Sequence, residues 1–232
     1  MKAPKMVDIK NYLHTDTIVI KPLPESPPGL FVPEIVSEHG QISGFLKVMG
    51  FIFPHIFKTL VNIRKSYKSL KTNPSPIKTS IPAATLKEFE DFAKILGCSQ
   101  VAYTKVPREY IFSNKVILFD NAIVLTMDMK KSCMNNAPSL RASKEVWRAY
   151  ASMGKIVNQL SGYLRKNGFS AQAGPALGGE TNYPYLAQKA GLGYIGKHGL
   201  LISEENGPSQ RIAAVYTNIK NLPFTDSVNY NW

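Results

Sequence analysis

Cysteine is almost missing from this chain of 232 residues, which carries just Cys98 and Cys133. Two thiols cannot build a disulfide framework, and alone they cannot hold an iron–sulfur cluster, which usually takes four ligands. The opening MKAPKMVDIKNYLHTD has no apolar core of a signal peptide, so the expected setting is reduced and cytoplasmic. The apolar stretch at 45–72 is broken by Lys58, well short of the roughly 20 uninterrupted residues a transmembrane span needs. No Gly-Lys-Ser/Thr follows a suitable glycine run, which excludes a Walker phosphate loop. Acid is scarce in two places: no Asp or Glu lies between Glu38 and Glu88, and no Asp between Asp128 and Asp226.

What the chain has instead is positive charge, unevenly distributed. Lys plus Arg is 28 against 16 Asp plus Glu, a net charge of +12. Residues 1–80 hold 11 basic and 5 acidic groups, residues 81–168 hold 13 and 7, and residues 169–232 hold 4 and 4. An apolar fraction of 44% excludes global disorder, collagen and a mucin-like stalk.

The prolines of PLPESPPGLFVPE (22–34) forbid a helix interior, so residues 1–44 are expected to form an irregular arm. In 45–72, Met49, Ile52, Phe53, Ile56, Leu60, Ile63, Tyr67 and Leu70 recur at steps of three or four, with Pro54 marking a start or a kink. That spacing predicts a basic amphipathic helix, packed on the domain or resting on an anionic membrane or a partner. Residues 73–84, NPSPIKTSIPAA, read as a linker. A compact domain over 85–232 follows.

Within that domain TLKEFEDFAKILG predicts a helix over 85–97, capped by Thr85 and stopped by Gly97. Strands are expected at 99–104 and 121–128, a long helix at 143–167 and a short extended piece at 169–174. A brief helix at 185–190 and strands at 200–202 and 212–217 complete the series. The fold class is α/β or α+β, a mixed sheet flanked by helices.

The stretch richest in chemistry is GGETNYPYLAQKAGLGYIGKHGLLISEENGPSQRIAAVYTN, residues 178–218. Gly191, Gly193 and Gly196 spell the dinucleotide fingerprint, but the residues before it read as helix and those after it as strand. Tyr216 stands where the ribose-binding acid belongs, so all the context requirements fail. Glycine at this density marks positive φ or a ligand lying against the backbone.

The run YPYLAQKAGLGYIGKHGLLI, followed by GPSQRIAAVYTN and LPF, resembles the superfamily of epoxyqueuosine reductases and corrinoid-dependent reductive dehalogenases. The resemblance implies a cobalamin-binding reductase domain, reducing an epoxide or a carbon–halogen bond on a small-molecule or tRNA-borne substrate. It implies corrinoid contact at Gly191, Gly193, Gly196, Lys197, His198 and Gly199. His198 is expected to be structural rather than a cobalt ligand, and no residue is expected to bind a metal.

Reductive cleavage leaves an anion, so a proton donor is needed. The epoxyqueuosine branch uses an Asp shortly before this motif and the dehalogenases a Tyr with a basic partner. The candidates here are Glu180 and Tyr183; Glu180 could instead cap the helix beginning near Tyr183. Members of the superfamily continue into cysteine runs holding two [4Fe–4S] clusters. This sequence has none, so the clusters are expected in a downstream ferredoxin-like domain or a redox partner, and the sequence is expected to be a fragment. The basic region offers peripheral membrane contact through 45–72. A non-catalytic electron-transfer relative, and a basic membrane- or RNA-binding module with a purely structural glycine loop, stay open as alternatives.

Overall fold

In a computed structural model of the chain, residues 12–13, 17–29, 45–75 and 77–225 are described, with 45–49 as helical backbone. The remainder of the expected arm, Met49 as a member of the apolar stripe, and residues 226–232 lie outside the described residues. Residues 17–29 run irregularly and lie against the loop at 106–120. Ile20 N–H donates to the Ile117 carbonyl (2.8 Å) and Ser113 N–H to the Pro27 carbonyl (2.8 Å), while Gly29 N–H meets Asn114 Oδ1 (2.9 Å).

Helix α1 (Phe45–Lys68) passes through Pro54 and ends in a 3₁₀ turn, Ser69–Thr72. Helix α2 (Ala83–Ile95) starts two residues before the expected Thr85 cap, because Pro82 stands at its N-cap with φ already set near −64°. Gly97 (φ 102°) closes it as expected, and Cys98 N–H reaches back to the Ala93 carbonyl. Strands β1 (Gln100–Lys105) and β2 (Asn121–Asp128) follow, then a single turn α3 (Lys131–Met134) and the long helix α4 (Leu140–Lys166). α4 begins earlier than its apolar stripe does, since Ser139 Oγ accepts from Ala142 N–H. Strand β3 (Ala171–Ala173), helix α5 (Tyr183–Lys189), the hairpin β4 (Tyr194–Ile195) with β5 (Leu201–Ile202), and β6 (Gln210–Thr217) complete the order.

The main sheet has the order β1-β2-β6-β3. Every pairing in it is antiparallel, a correction to the expected mixed sheet. β2 and β3 each flank β6 and run parallel to one another without touching, so α4 makes a split β-α-β crossover. Ala122, Ile123, Val124 and Leu125 are all fully buried. A strand covered on both faces shows a continuous apolar run whether its neighbours are parallel or antiparallel. The core gathers these residues with Phe89, Met153, Ile156, Val157, Leu160, Leu164, Phe169 and Val215.

α1 and α4 pack side by side, running in the same direction. Asn62 Nδ2 donates to the Ala151 carbonyl (2.9 Å) and Asn158 Nδ2 to the Asn62 carbonyl (3.1 Å). Gly154 lies against the Asn62 side chain, where a Cβ would come within 3.0 Å. Farther along, Arg165 binds Ser69 Oγ (2.9 Å), Asn73 Oδ1 (3.1 Å) and the Ala171 carbonyl (2.8 Å), which ties the end of α1 to β3.

Candidate active site and glycine hairpin

Glu180 and Tyr183 come together in one buried cluster. The chain at Glu180–Asn182 is extended and pairs with Tyr110–Phe112: Phe112 N–H donates to the Glu180 carbonyl (3.0 Å), and Asn182 N–H to the Tyr110 carbonyl (2.8 Å). Asn182 then caps α5, its Oδ1 accepting from Tyr185 N–H. The cap therefore belongs to Asn182, and the Glu180 side chain is free of that duty. It turns inward instead and has no exposed surface.

Burial pushes the Glu180 carboxyl up to about 7. The charge of Lys115, the residue's own backbone N–H and the Tyr67 phenol offset this only in part, and neither oxygen accepts a hydrogen bond of good geometry. Tyr183 Oη donates to the Pro175 carbonyl (2.9 Å). Burial first, then the neighbouring Tyr216, Glu180 and Tyr67, raise its phenol well above the ordinary range. Tyr216, also buried and raised, shares a hydrogen bond with Thr181 Oγ1 (2.9 Å). At neutral pH both phenols keep their protons, and Glu180 is the group that can gain or lose one.

Sequence reasoning missed Tyr67, Lys115, Thr181 and Tyr216, which come from four separate segments. It also missed the purpose of two glycines. A Cβ on Gly174 would collide with Tyr183 Oη and lie 2.7 Å from the Ala214 carbonyl, and one on Gly179 would collide with the Tyr183 ring. These two positions form the seat of Tyr183. The density of glycine around them was the available signal.

The glycine loop lies at the other end of α5, whose seven residues span about 10 Å. Each glycine there has a local task. Gly191 (φ 80°) ends α5, with Leu192 N–H bonded to the Ala187 carbonyl. Gly193 (φ 147°) sits so close to the Ile202 carbonyl that no side chain fits. Gly196 and Gly199 bound the turn between β4 and β5, Gly199 N–H donating to the Gly196 carbonyl (2.9 Å). Helix before and strand after confirm that this is no dinucleotide-binding turn. Lys197, His198 and Gly199 are exposed at the tip. His198 Nδ1 accepts from Leu200 N–H (3.1 Å), which in the neutral ring leaves Nε2–H pointing away as a donor.

Among the described residues no group of three or more His, Cys, Asp and Glu could hold a metal ion. Cys98 and Cys133 are buried and unbridged, and burial pushes the Cys98 thiol up to about 12, away from the thiolate that clusters require. Open clefts among the described residues include two of note. One of about 400 Å³ lies where β1, β2 and β6 end, between Lys105, Asp120, Asn121 and Lys220. The other, about 220 Å³, lies outside the Glu180 segment between Phe112, Tyr110, Asn182 and Tyr185. Neither could enclose a corrin ring with its tail; at the exposed hairpin tip the Lys197 and His198 side chains stand beside Gly199, whose backbone has open space next to it. No helix among the described residues is long and apolar enough to cross a membrane.

No protein-family model matches the chain. Over 104 residues it is 34% identical to tetrachloroethene reductive dehalogenases of Desulfitobacterium hafniense and Dehalobacter restrictus, which covers 44% of this chain and 18% of theirs. The corresponding enzyme of Sulfurospirillum multivorans is 30% identical over 104 residues. The chain thus spans about a fifth of the length of the curated relatives it matches. Among solved structures, a catabolic reductive dehalogenase in complex with 3-bromo-4-hydroxybenzoic acid superposes with a TM-score of 0.60 at 16% identity, covering 75% of this chain and 28% of that one. A reductive dehalogenase whose structure suggests a mechanism for B12-dependent dehalogenation gives 0.59 at 19%, covering 68% and 24%.

Proposed function

We propose, from its 30–34% identity to tetrachloroethene reductive dehalogenases over 104 residues and a fold shared with reductive dehalogenases, that the chain is the corrinoid-facing portion of a reductase that replaces a carbon-bound halide by hydrogen. The observation that carries this reading is Glu180, a buried acid held near neutrality among phenols. A donor poised in that range is what quenching a carbanion at physiological pH requires. The halide branch is preferred to the epoxide branch because the curated relatives are dehalogenases.

Replacing halide by hydrogen consumes two electrons and one proton and releases the halide anion. The electrons come from a low-potential donor, either an iron–sulfur module or a separate redox protein. A bound corrinoid would supply low-valent cobalt chemistry at the carbon–halogen bond. Lys197 and His198 Nε2–H would hold its polar groups, and the backbone at Gly191, Gly193, Gly196 and Gly199 gives the hairpin its shape. Glu180 holds the exchangeable proton. Tyr183, fixed by the Pro175 carbonyl and seated on Gly174 and Gly179, keeps that carboxyl in a dry, phenol-lined setting.

The test is chloride release from tetrachloroethene, measured anaerobically with cobalamin and titanium(III) citrate as reductant. The wild-type chain is expected to release chloride, and Glu180→Gln to do so about 100-fold more slowly while still retaining cobalamin. A Glu180→Gln chain working at the wild-type rate would remove Glu180 from the chemistry. The complete burial of Glu180 favours a second reading, a relative that keeps the scaffold without turnover. Cobalamin retained with no chloride released would select it.

A further inference from the structure

Helix α1 packs with its polarity inverted. Toward the domain it buries Ile52, Thr59 and Ser66, seven residues apart, with Tyr67 beside them. The two hydroxyls bond back to the carbonyls of His55 and Asn62. Outward, Phe53, Phe57 and Leu60 are 52%, 58% and 50% exposed, and the two phenylalanine rings stack on each other at 6.4 Å. The expected stripe put Phe53 and Leu60 on one face with Ile52 and Tyr67; the structure separates them, burying the second pair and exposing the first. Positions 53, 57, 60, 64 and 68 follow steps of four, three, four and four, so Phe53, Phe57, Leu60, Arg64 and Lys68 form a single row. The row is apolar in its first half and basic in its second.

Among the described residues no acidic group pairs with that charge. α1 contains no Asp or Glu, and Lys58, Arg64, Lys65 and Lys68 are all exposed. The facing carboxylate, Glu145 on α4, is buried and spent on Arg148 (2.6 Å) and on the Lys130 N–H (2.9 Å). Exposed aromatic rings in line with cations that reach past them match an anionic interface, where rings enter the acyl boundary and basic groups meet phosphates.

We propose that the row Phe53–Phe57–Leu60–Arg64–Lys68 is a docking face for an anionic phospholipid surface, on which the chain lies peripherally. This is independent of the corrinoid reading. The full chain is sedimented with vesicles of phosphatidylcholine alone and of phosphatidylcholine mixed with phosphatidylglycerol. It is expected to sediment with the mixed vesicles, to come off as salt is raised, and to ignore the uncharged ones. Phe53→Glu/Phe57→Glu and, separately, Arg64→Glu/Lys68→Glu are each expected to lower binding by about tenfold or more, with melting temperatures unchanged because the positions are exposed. Failure of the wild-type chain to sediment with the mixed vesicles overturns the proposal. So does equal binding to uncharged vesicles, and so does undiminished binding by either variant.

Discussion

The stability difference between Glu180→Gln and the wild-type chain is expected to grow in favour of the variant by about 3 kcal/mol as pH rises from 4.5 to about 7. In the unfolded chain this carboxyl titrates near its ordinary 4.5; in the folded chain burial lifts it to about 7. Below 4.5 both states bind the proton and the group is neutral to stability. Between the two values the unfolded state releases its proton while the folded state keeps it, so the wild-type loses stability steadily. Above about 7 both are ionised and the loss is complete. Gln cannot ionise and has no such slope. Denaturant unfolding of both proteins across this range reads the effect. A constant difference would mean that Glu180 is solvated, and would remove the reason for reading it as the proton donor.

Gly179→Ala is expected to cost about 2–3 kcal/mol and to disturb the tyrosine environment, the usual penalty for forcing a methyl group into a filled core. The added Cβ would overlap the Tyr183 ring, which cannot swing away because it is buried and its hydroxyl is anchored on Pro175. Gly162→Ala on α4 is the matched control. A Cβ there meets nothing within 4 Å, and alanine is the better helix former by about 1 kcal/mol, so that variant should be slightly stabilised. Thermal unfolding with near-ultraviolet circular dichroism separates the two. Equal melting temperatures and unchanged tyrosine signals in Gly179→Ala would show that Tyr183 is loosely seated.

The outline of this fold is written locally, and its site is not. NAIVLTMD declares β2 because its short apolar run with β-branched Ile123, Val124 and Thr126 leaves no helical face. α4 announces itself through Met153, Ile156, Val157, Leu160 and Leu164. The antiparallel character of the sheet is invisible in such runs, since burial on both faces erases alternation. α1 misleads because two apolar rows lie side by side on it, and spacing cannot say which one meets the protein. Glu180 and Tyr183 could be named from residue chemistry and from the resemblance, but Tyr67 and Tyr216 come from α1 and β6, and only the fold brings them to the carboxyl. The glycines of the fingerprint stood out by pattern. Gly174 and Gly179, which seat the candidate site, share in the glycine density of the stretch but follow no fixed motif spacing.

Cobalamin binding by the full chain is the most direct test of the proposed corrinoid role. Titration with hydroxocobalamin is expected to leave corrin absorption on the protein after desalting. It is also expected to raise the melting temperature, a ligand at a hundred times its dissociation constant adding about 2.7 kcal/mol, and Lys197→Ala/His198→Ala should weaken the binding by about tenfold. A protein that emerges colourless, with an unshifted melting temperature at saturating cobalamin, would contradict the corrinoid-facing role.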